Sequence, residues 1–338
     1  MDLDGDGTPD LISGSWPGEL FFFKGQGKGQ YAAPVKLKNK DGKTINIGGG
    51  RRPDGGGMIL IAGDAKFEKD EKTGRDVIVY DGERIVVPEG KSAGITGTAS
   101  AVHAVDWNGD GVIDLLVGDI GGNVYLVPNE GTPQKWAFGK ERQLTVGGKE
   151  LRVDGGDAGP FACDWDGDGK TDLLVGAGDG SVWFYRNVGT KAAPELAAGV
   201  RLVAPGDAVY GPDAPKEPRR GIRSKVCAVD WFGTGRLDLL VGDMATQKPD
   251  RPEPTPKEKA EQDQARKELE PLQKRYRELI DKLFSDKPPP KDEKEKVQKE
   301  LTDVQQRMAK LQEKIPPDYE DHGWVWLFRR QPAAARGP

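Results

Sequence analysis

Through most of the chain, apolar residues fall in short runs cut by Gly, Asp and Asn rather than in long amphipathic stretches. Leu-Leu-Val at 115–117, 173–175 and 239–241 directly follows an Asp each time. In the first two cases a Gly-containing turn and a second β-favouring run come next, VYLV at Val124–Val127 and VWFY at Val182–Tyr185. This pattern predicts hairpins. Beyond residue 265 the period changes. Leu269, Leu272, Tyr276, Leu279 and Leu283 recur by threes and fours, as do Val297, Leu301, Val304, Met308, Leu311 and Ile315. Both segments hold a coiled-coil-type seam, and the turn at Pro288, Pro289 and Pro290 predicts an antiparallel helical hairpin. Pro271 is expected to kink the first helix or to mark the start of its second half. The closing run His322–Arg330 (HGWVWLFRR) matches Ser181–Asn187 (SVWFYRN) in pattern, which predicts pairing with Gly235–Asp243 and puts the helices inside one interrupted hairpin.

The hairpins belong to a repeat. Aligned on the Asp that precedes each hairpin, the copies start from Asp10, Asp114, Asp172 and Asp238. A further hairpin at Arg75–Pro88 reads as a copy without a site, because EKDEKTGR upstream lacks the alternate-Asp spacing. Asn129–Thr132 and Asn187–Thr190 share an N-x-G-T turn, and outer strand pairs are expected at Val35–Ile47, Gln143–Val153 and Val200–Tyr210. Some four strands per unit without intervening helices predict an all-β fold, a β-propeller of four-stranded blades with about five visible. A solenoid of β-coils is the alternative. The expected domains are 1–245 for the propeller repeats, 246–321 for a linker and the inserted helical hairpin, 322–332 for a final propeller strand, and 333–338 for a tail.

The 47 Gly and 25 Pro agree with a turn-rich β protein. The formal charge of −5 gives no basic field for nucleic acid. No run of 18 apolar residues is present, so no transmembrane segment is expected. No signal segment opens the chain; because the first repeat lacks the strand that precedes the others, the chain reads as a piece of a longer exported protein rather than a cytosolic one. Cys163 and Cys227 read as buried thiols packing as small hydrophobes.

The chemistry lies before the hairpins. Asp2–Asp10, Asp106–Asp114 and Asp164–Asp172 place oxygen side chains at positions 1, 3, 5 and 9 of a nine-residue loop. These are Asp2, Asp4, Asp6 and Asp10; Asp106, Asn108, Asp110 and Asp114; and Asp164, Asp166, Asp168 and Asp172. Glycines between them permit a tight turn, and the carbonyls of Thr8, Val112 and Lys170 are placed to fill position 7. An all-oxygen cage of this kind suits Ca²⁺, with about three sites and affinities of roughly 10⁻⁴–10⁻³ M. The EF-hand is excluded, since position 12 is Ser13, Val117 or Val175 and a strand follows. The fourth loop has Phe232 and Thr234 where ligands belong and is expected to bind no metal. Trp107, Trp165 and Trp231 follow the first loop Asp and are expected to pack against the adjacent blade.

These D-x-D-G-D-G-x-x-D-L-L-V-G loops, with their hairpin and N-x-G-T turn, resemble the FG-GAP/VCBS-type repeats of bacterial proteins, relatives of the integrin α-subunit propeller. The resemblance covers residues 1 to about 245 and the last strand near 323–330, and none of the helical hairpin. It implies a propeller with structural Ca²⁺ and an extracellular, periplasmic or cell-surface binding role. The reading is therefore a non-catalytic Ca²⁺-binding propeller that engages a protein or a carbohydrate, with a helix-mediated partner through 260–315 as an added contact. The alternative is a propeller-based polysaccharide lyase or hydrolase. Only His103 and His322 are present and neither lies in a recognisable catalytic motif; the Gly runs at 48–50 and 55–57 lack the order of a phosphate-binding loop.

Overall fold

The computed structural model describes residues 1–47, 52–53, 58–61, 66–80, 83–87, 92–95, 98–207, 209, 213–283 and 290–331. The Gly runs at 48–50 and 55–57, the turn at Asp81 and Gly82, Pro88, Tyr210, Pro288 and Pro289, and the tail from 333 lie outside the described residues. Met1–Ala208, Pro218–Ala245 and His322–Pro338 form one compact unit; Val209–Glu217 and Thr246–Asp321 form the other.

The first unit is mostly β. Four antiparallel sheets repeat the hairpin pattern and are numbered here with the Asp loop each contains. Sheet I is Leu11–Gly14, Leu20–Phe23 and Val35–Lys36. Sheet II is Ala101–Val105, Asp114–Gly118, Val124–Val127 and Arg142–Gln143. Sheet III is Gly159–Cys163, Asp172–Gly176, Val182–Tyr185 and Val200–Val203. Sheet IV is Ile222–Val229, Asp238–Gln247 and Glu320–Phe328, so the last strand joins its neighbour across the helical segment. Sheets I and IV thus have three strands where four per unit were expected. Of the span Val35–Ile47 only Val35–Lys36 joins a sheet, the rest making single bridges, Lys38 to Thr44 and Glu19 to Asn46. The polar NKDG segment between them favours a turn over a ladder. Likewise Gln143–Val153 divides: its start pairs with Val124–Val127, and Thr145–Val146 turns back on Lys149–Glu150 as a separate ribbon. Another antiparallel sheet joins Lys66–Lys69, Asp76–Tyr80 and Glu83–Val86, and Met58–Ile61 pairs in parallel with Ser92–Ile95.

Sheets I to IV are held by face-to-face burial of the alternating side chains. Leu20, Phe22 and Ile47 of the first repeat cluster with Leu115, Val117 and Val127 of sheet II. On the other face of sheet II, Leu116, Val124 and Leu126 meet Leu173, Val175 and Tyr185 of sheet III. The opposite face of sheet III places Leu174 and Val182 against Leu239 and Val241 of sheet IV. Each such side chain stabilises by about 1.5–3 kcal/mol when taken fully from water, which makes these seams the principal store of stability. The Leu-Leu-Val run is buried in sheets II and III because both of its faces are covered.

The second unit holds α1 (Pro256–Leu283) and α2 (Lys291–Gln312). Thr255 and Glu258 form a capping box, Oγ1 of Thr255 accepting from the Glu258 N–H at 3.3 Å while Oε2 of Glu258 accepts from the Thr255 N–H at 2.7 Å. α1 runs without a break through Pro271, so the proline does not divide it. Leu279, Val297 and Val304 are buried between the helices, with Leu272, Tyr276, Leu283, Leu301 and Met308 around them. Arg275 forks onto Glu300 at 2.8 and 3.0 Å and Lys282 pairs with Glu293 at 2.6 Å, the register of antiparallel helices. No helix among the described residues is long and apolar enough to cross a membrane.

Candidate metal centres in the aspartate loops

Each loop turns on glycines with positive φ, +71° and +86° at Gly5 and Gly7 and +83° and +84° at Gly167 and Gly169. A side chain at these positions would be strained, so the sequence must be Gly for the carboxylates to converge. The position-1 carboxylate gathers the turn. Asp2 accepts from the N–H groups of Asp6 (3.1 Å) and Gly7 (2.8 Å), Asp106 from Asp110 and Gly111 (both 3.0 Å), and Asp164 from Gly167 (2.8 Å) and Gly169 (2.9 Å). Position 5 accepts from position 7: Thr8 donates to Asp6 at 2.8 Å, Val112 to Asp110 at 2.8 Å and Lys170 to Asp168 at 3.0 Å.

In loops I and III, Asp2, Asp4 and Asp10, and Asp164, Asp166 and Asp172, each bring one carboxylate oxygen within 4.8 Å of the others. These clusters could bind a metal ion, and an all-oxygen donor set matches a hard cation. In loop II Asn108 replaces one carboxylate and its Nδ2 donates to Asp110 at 2.9 Å. Basic side chains stand against the outer carboxylates. Lys24 pairs with Asp4 and, at 2.7 Å, with Asp6. Arg186 reaches Asp166 at 2.6 Å and Asp168 at 3.1 Å, and Lys170 also meets Asp168 at 3.1 Å. The Lys24 hydrogen bond holds Asp6 below the usual carboxylate range. Asp168 is lowered too, its desolvation outweighed by the hydrogen bonds and charge of Lys170 and Arg186.

Position 9 has a second task that the spacing alone does not show. Asp10, Asp114 and Asp172 are buried, and their two oxygens tie the loop to the far arm of the hairpin. One oxygen accepts from position 2, the N–H of Leu3 (2.9 Å), Trp107 (3.2 Å) or Trp165 (3.1 Å). The other accepts fifteen residues on, from Gly25 (2.8 Å), Asn129 (2.7 Å) or Asn187 (2.7 Å). Burial raises the pKa of Asp114 and Asp172, opposed by these same N–H groups. The asparagines of the N-x-G-T turns are therefore joints: Asn187 Oδ1 also accepts from Gly189 (3.0 Å) and Glu195 (3.1 Å), and Asn129 Oδ1 from Gly131 (3.1 Å) and Ala137 (2.9 Å). The recurrence of Asn fifteen residues after the Asp in two repeats was the available signal.

Loop IV keeps half of this joint. Asp230 accepts from Thr234 (2.8 Å) and Gly235 (2.7 Å), and Asp238 Oδ1 from Arg330 (2.9 Å). Trp231 N–H bonds instead to the Val229 carbonyl at 2.9 Å, leaving the buried Asp238 Oδ2 without a hydrogen-bond partner among the described residues. Trp107 and Trp165 pack in the seams with the next sheet, as read from sequence, but Trp231 is 58% exposed. Cys163 is half-buried and Cys227 exposed, which corrects the expectation of two buried thiols. Among the described residues no sheet packs against the face of sheet IV that carries Cys227. The two histidines sit apart, His103 with its ring 4.4 Å from Phe161 and His322 stacked on Trp324 at 5.7 Å.

Residues 106–175, from loop II to the Leu-Leu-Val strand of sheet III, match the FG-GAP-like repeat family. The resemblance read from the loops is shown for that stretch. No curated protein matches the chain. Among solved structures, two crystal structures of BBS1N in complex with ARL6DN, soaked with lead and with mercury, are similar at 16% and 15% identity. They cover 72% of this chain and 72% and 74% of their own, with TM-scores of 0.25 and 0.24.

Proposed function

We propose that the chain is a non-catalytic, calcium-binding β-propeller module of FG-GAP type whose loops I to III each hold a structural Ca²⁺. The observation that carries the reading is the convergence of carboxylate oxygens at positions 1, 3 and 9 of loops I and III, the latter inside the stretch 106–175 that matches the FG-GAP-like repeat. Asp2, Asp4, Asp6 and Asp10 with the Thr8 carbonyl would hold the first ion. Asp106, Asn108, Asp110 and Asp114 with the Val112 carbonyl would hold the second. Asp164, Asp166, Asp168 and Asp172 with the Lys170 carbonyl would hold the third. The ion supplies charge neutralisation that Lys24, Arg186 and Lys170 provide in part, so loading fixes the loop that joins two strands and stiffens the sheet behind it. Sheets I to IV are the corresponding blades, and sheets so stiffened present a rigid surface for a protein or glycan outside the cytoplasm. The test is thermal unfolding in EDTA and in millimolar Ca²⁺, with titration calorimetry. Stabilisation with about three sites is expected; no heat and no shift would overturn the metal reading.

A further inference from the structure

Loops I, II and III differ in side-chain ligand chemistry at position 3 alone, where Asn108 stands in loop II and Asp4 and Asp166 in the others. Position 4 must be glycine in all three, because the turn holds it at positive φ: +71° at Gly5, +71° at Gly109 and +83° at Gly167. Gly109 has a second reason. A Cβ there would collide with the stem of Lys191, which lies over the loop from just beyond the turn at Asn187–Thr190. The fold of loop II therefore forces the dipeptide Asn108-Gly109, and no other asparagine of the chain precedes a glycine.

In Asn-Gly the backbone nitrogen after the asparagine can attack its side-chain amide, since glycine puts no side chain in the way. The loop leaves that nitrogen free. The Gly109 N–H donates to no group among the described residues, whereas in loop III the Gly167 N–H is held by Asp164 at 2.8 Å. Asn108 Oδ1 accepts from the Asp110 N–H at 3.1 Å, which draws electron density from the amide carbon and makes it a better electrophile. Asn108 is only half-buried, within reach of water. Its surroundings also suit a carboxylate. The residue before the position-9 donor is a cation in repeats I and III, Lys24 against Asp4 and Arg186 against Asp166, but in repeat II it is Pro128. The cation beside loop II is Lys191 instead, and its ammonium makes no ion pair among the described residues.

We propose that Asn108 is a spontaneous deamidation site, and that its conversion to aspartate gives loop II the carboxylate set of loops I and III. The Gly109 nitrogen, giving up its proton to solvent, bonds to Asn108 Cγ and closes a cyclic imide. The Cγ–Nδ2 bond breaks, and the amide nitrogen takes a proton from water and leaves as ammonia. A second water then adds at Cγ, the new C–N bond breaks, and the Gly109 nitrogen regains its proton, leaving an aspartate carboxylate. Overall the side chain exchanges an amide for an acid at the cost of one water, with no change of oxidation state. Opening at the other imide carbonyl would route the main chain through Cγ and lengthen it. That would displace the Asp110 and Gly111 N–H groups, which both donate to Asp106 at 3.0 Å, so the folded loop favours aspartate over isoaspartate. The added charge raises the affinity of loop II for a hard cation. That consequence rests on the Ca²⁺ reading above; the chemistry at Asn108 does not.

The experiment holds the folded chain at mildly alkaline pH, with the urea-unfolded chain beside it, and follows digested samples over time by mass spectrometry. Asn108 is expected to turn from amide to acid ahead of Asn39, Asn46, Asn123, Asn129 and Asn187. Its product should be mainly aspartate in the folded chain and mainly isoaspartate in the unfolded one. Asn108→Gln, which keeps an amide but disfavours ring closure, should stay unmodified at that site. Asn108→Asp supplies the product directly and should bind Ca²⁺ several-fold more tightly at one site than fresh wild type, with aged wild type between the two in calorimetry. An Asn108 that keeps its amide in the folded chain, or gives mostly isoaspartate there, would overturn the proposal. So would Asn108→Asp binding Ca²⁺ no more tightly than a wild type that does bind it. No Ca²⁺ heat from any form would instead overturn the metal reading, and the mass spectra would still decide the deamidation.

Discussion

Asp172 and Asn187 are joined by a 2.7 Å hydrogen bond from the Asn187 backbone N–H to Asp172 Oδ1, and the Asn187 side chain then closes the turn beyond. The residue proposed above as a metal ligand is thus also the buttress of the hairpin. The same bond recurs at Asp114 with Asn129 and, without a full loop in front of it, at Asp238 with Arg330.

Removing that carboxylate should separate its two tasks. Asp172→Ala leaves two buried N–H groups unpaired and is expected to cost about 2–4 kcal/mol even in EDTA. Asp238→Ala should also destabilise, by less because one oxygen already lacks a partner, and equally with and without Ca²⁺. Asp164→Ala should instead abolish most of the Ca²⁺-dependent gain in loop III. Urea unfolding in EDTA and in Ca²⁺ reads all three.

Arg186 stands where a bound cation would compete with it. Arg186→Gln is expected to change stability in EDTA by less than about 1 kcal/mol, as for exposed ion pairs. It should tighten Ca²⁺ binding at one site, since the loop then has no guanidinium to displace. Calorimetry of the variant against wild type measures this.

The tryptophans after the first loop Asp should differ sharply in effect. Trp107→Ala empties a filled seam and is expected to cost about 3–5 kcal/mol. Trp231→Ala should stay within about 0.5 kcal/mol of wild type. Chemical denaturation compares them directly.

His103 gives the β body a sensitivity to acid. Burial holds its pKa below the ordinary imidazole range, opposed by its hydrogen bond to the Ala162 carbonyl. The unfolded chain therefore takes up the proton first, and stability falls as pH drops below about 6.5 until the folded-state value is reached. His103→Gln should flatten that part of the curve, measured in saturating Ca²⁺.

The loops and hairpins were legible because their causes are local. A glycine at positive φ, alternating carboxylates and a β-favouring run each act within about twenty residues, so the Asp172 repeat reads from its own letters. The helical seam was legible for the same reason, its three-and-four spacing placing Leu279, Val297 and Val304 in the buried contact. The outer strands were less so: in Val35–Ile47 and Gln143–Val153 the polar turns outweigh a weak alternation, and neighbouring strands decide how much of each span is recruited.

What the sequence by itself determined is the repeat, its hairpins, the helical pair and the carboxylates that converge in loops I and III. What only the tertiary structure decided is which equivalent side chains are covered. Trp165 and Trp231, or Val182 and Val325, are the same letter at the same place in a repeat, and one member of each pair is buried while the other meets water. Burial depends on whether another sheet lies against that face, and that neighbour is set by the packing of distant segments rather than by anything in the repeat itself.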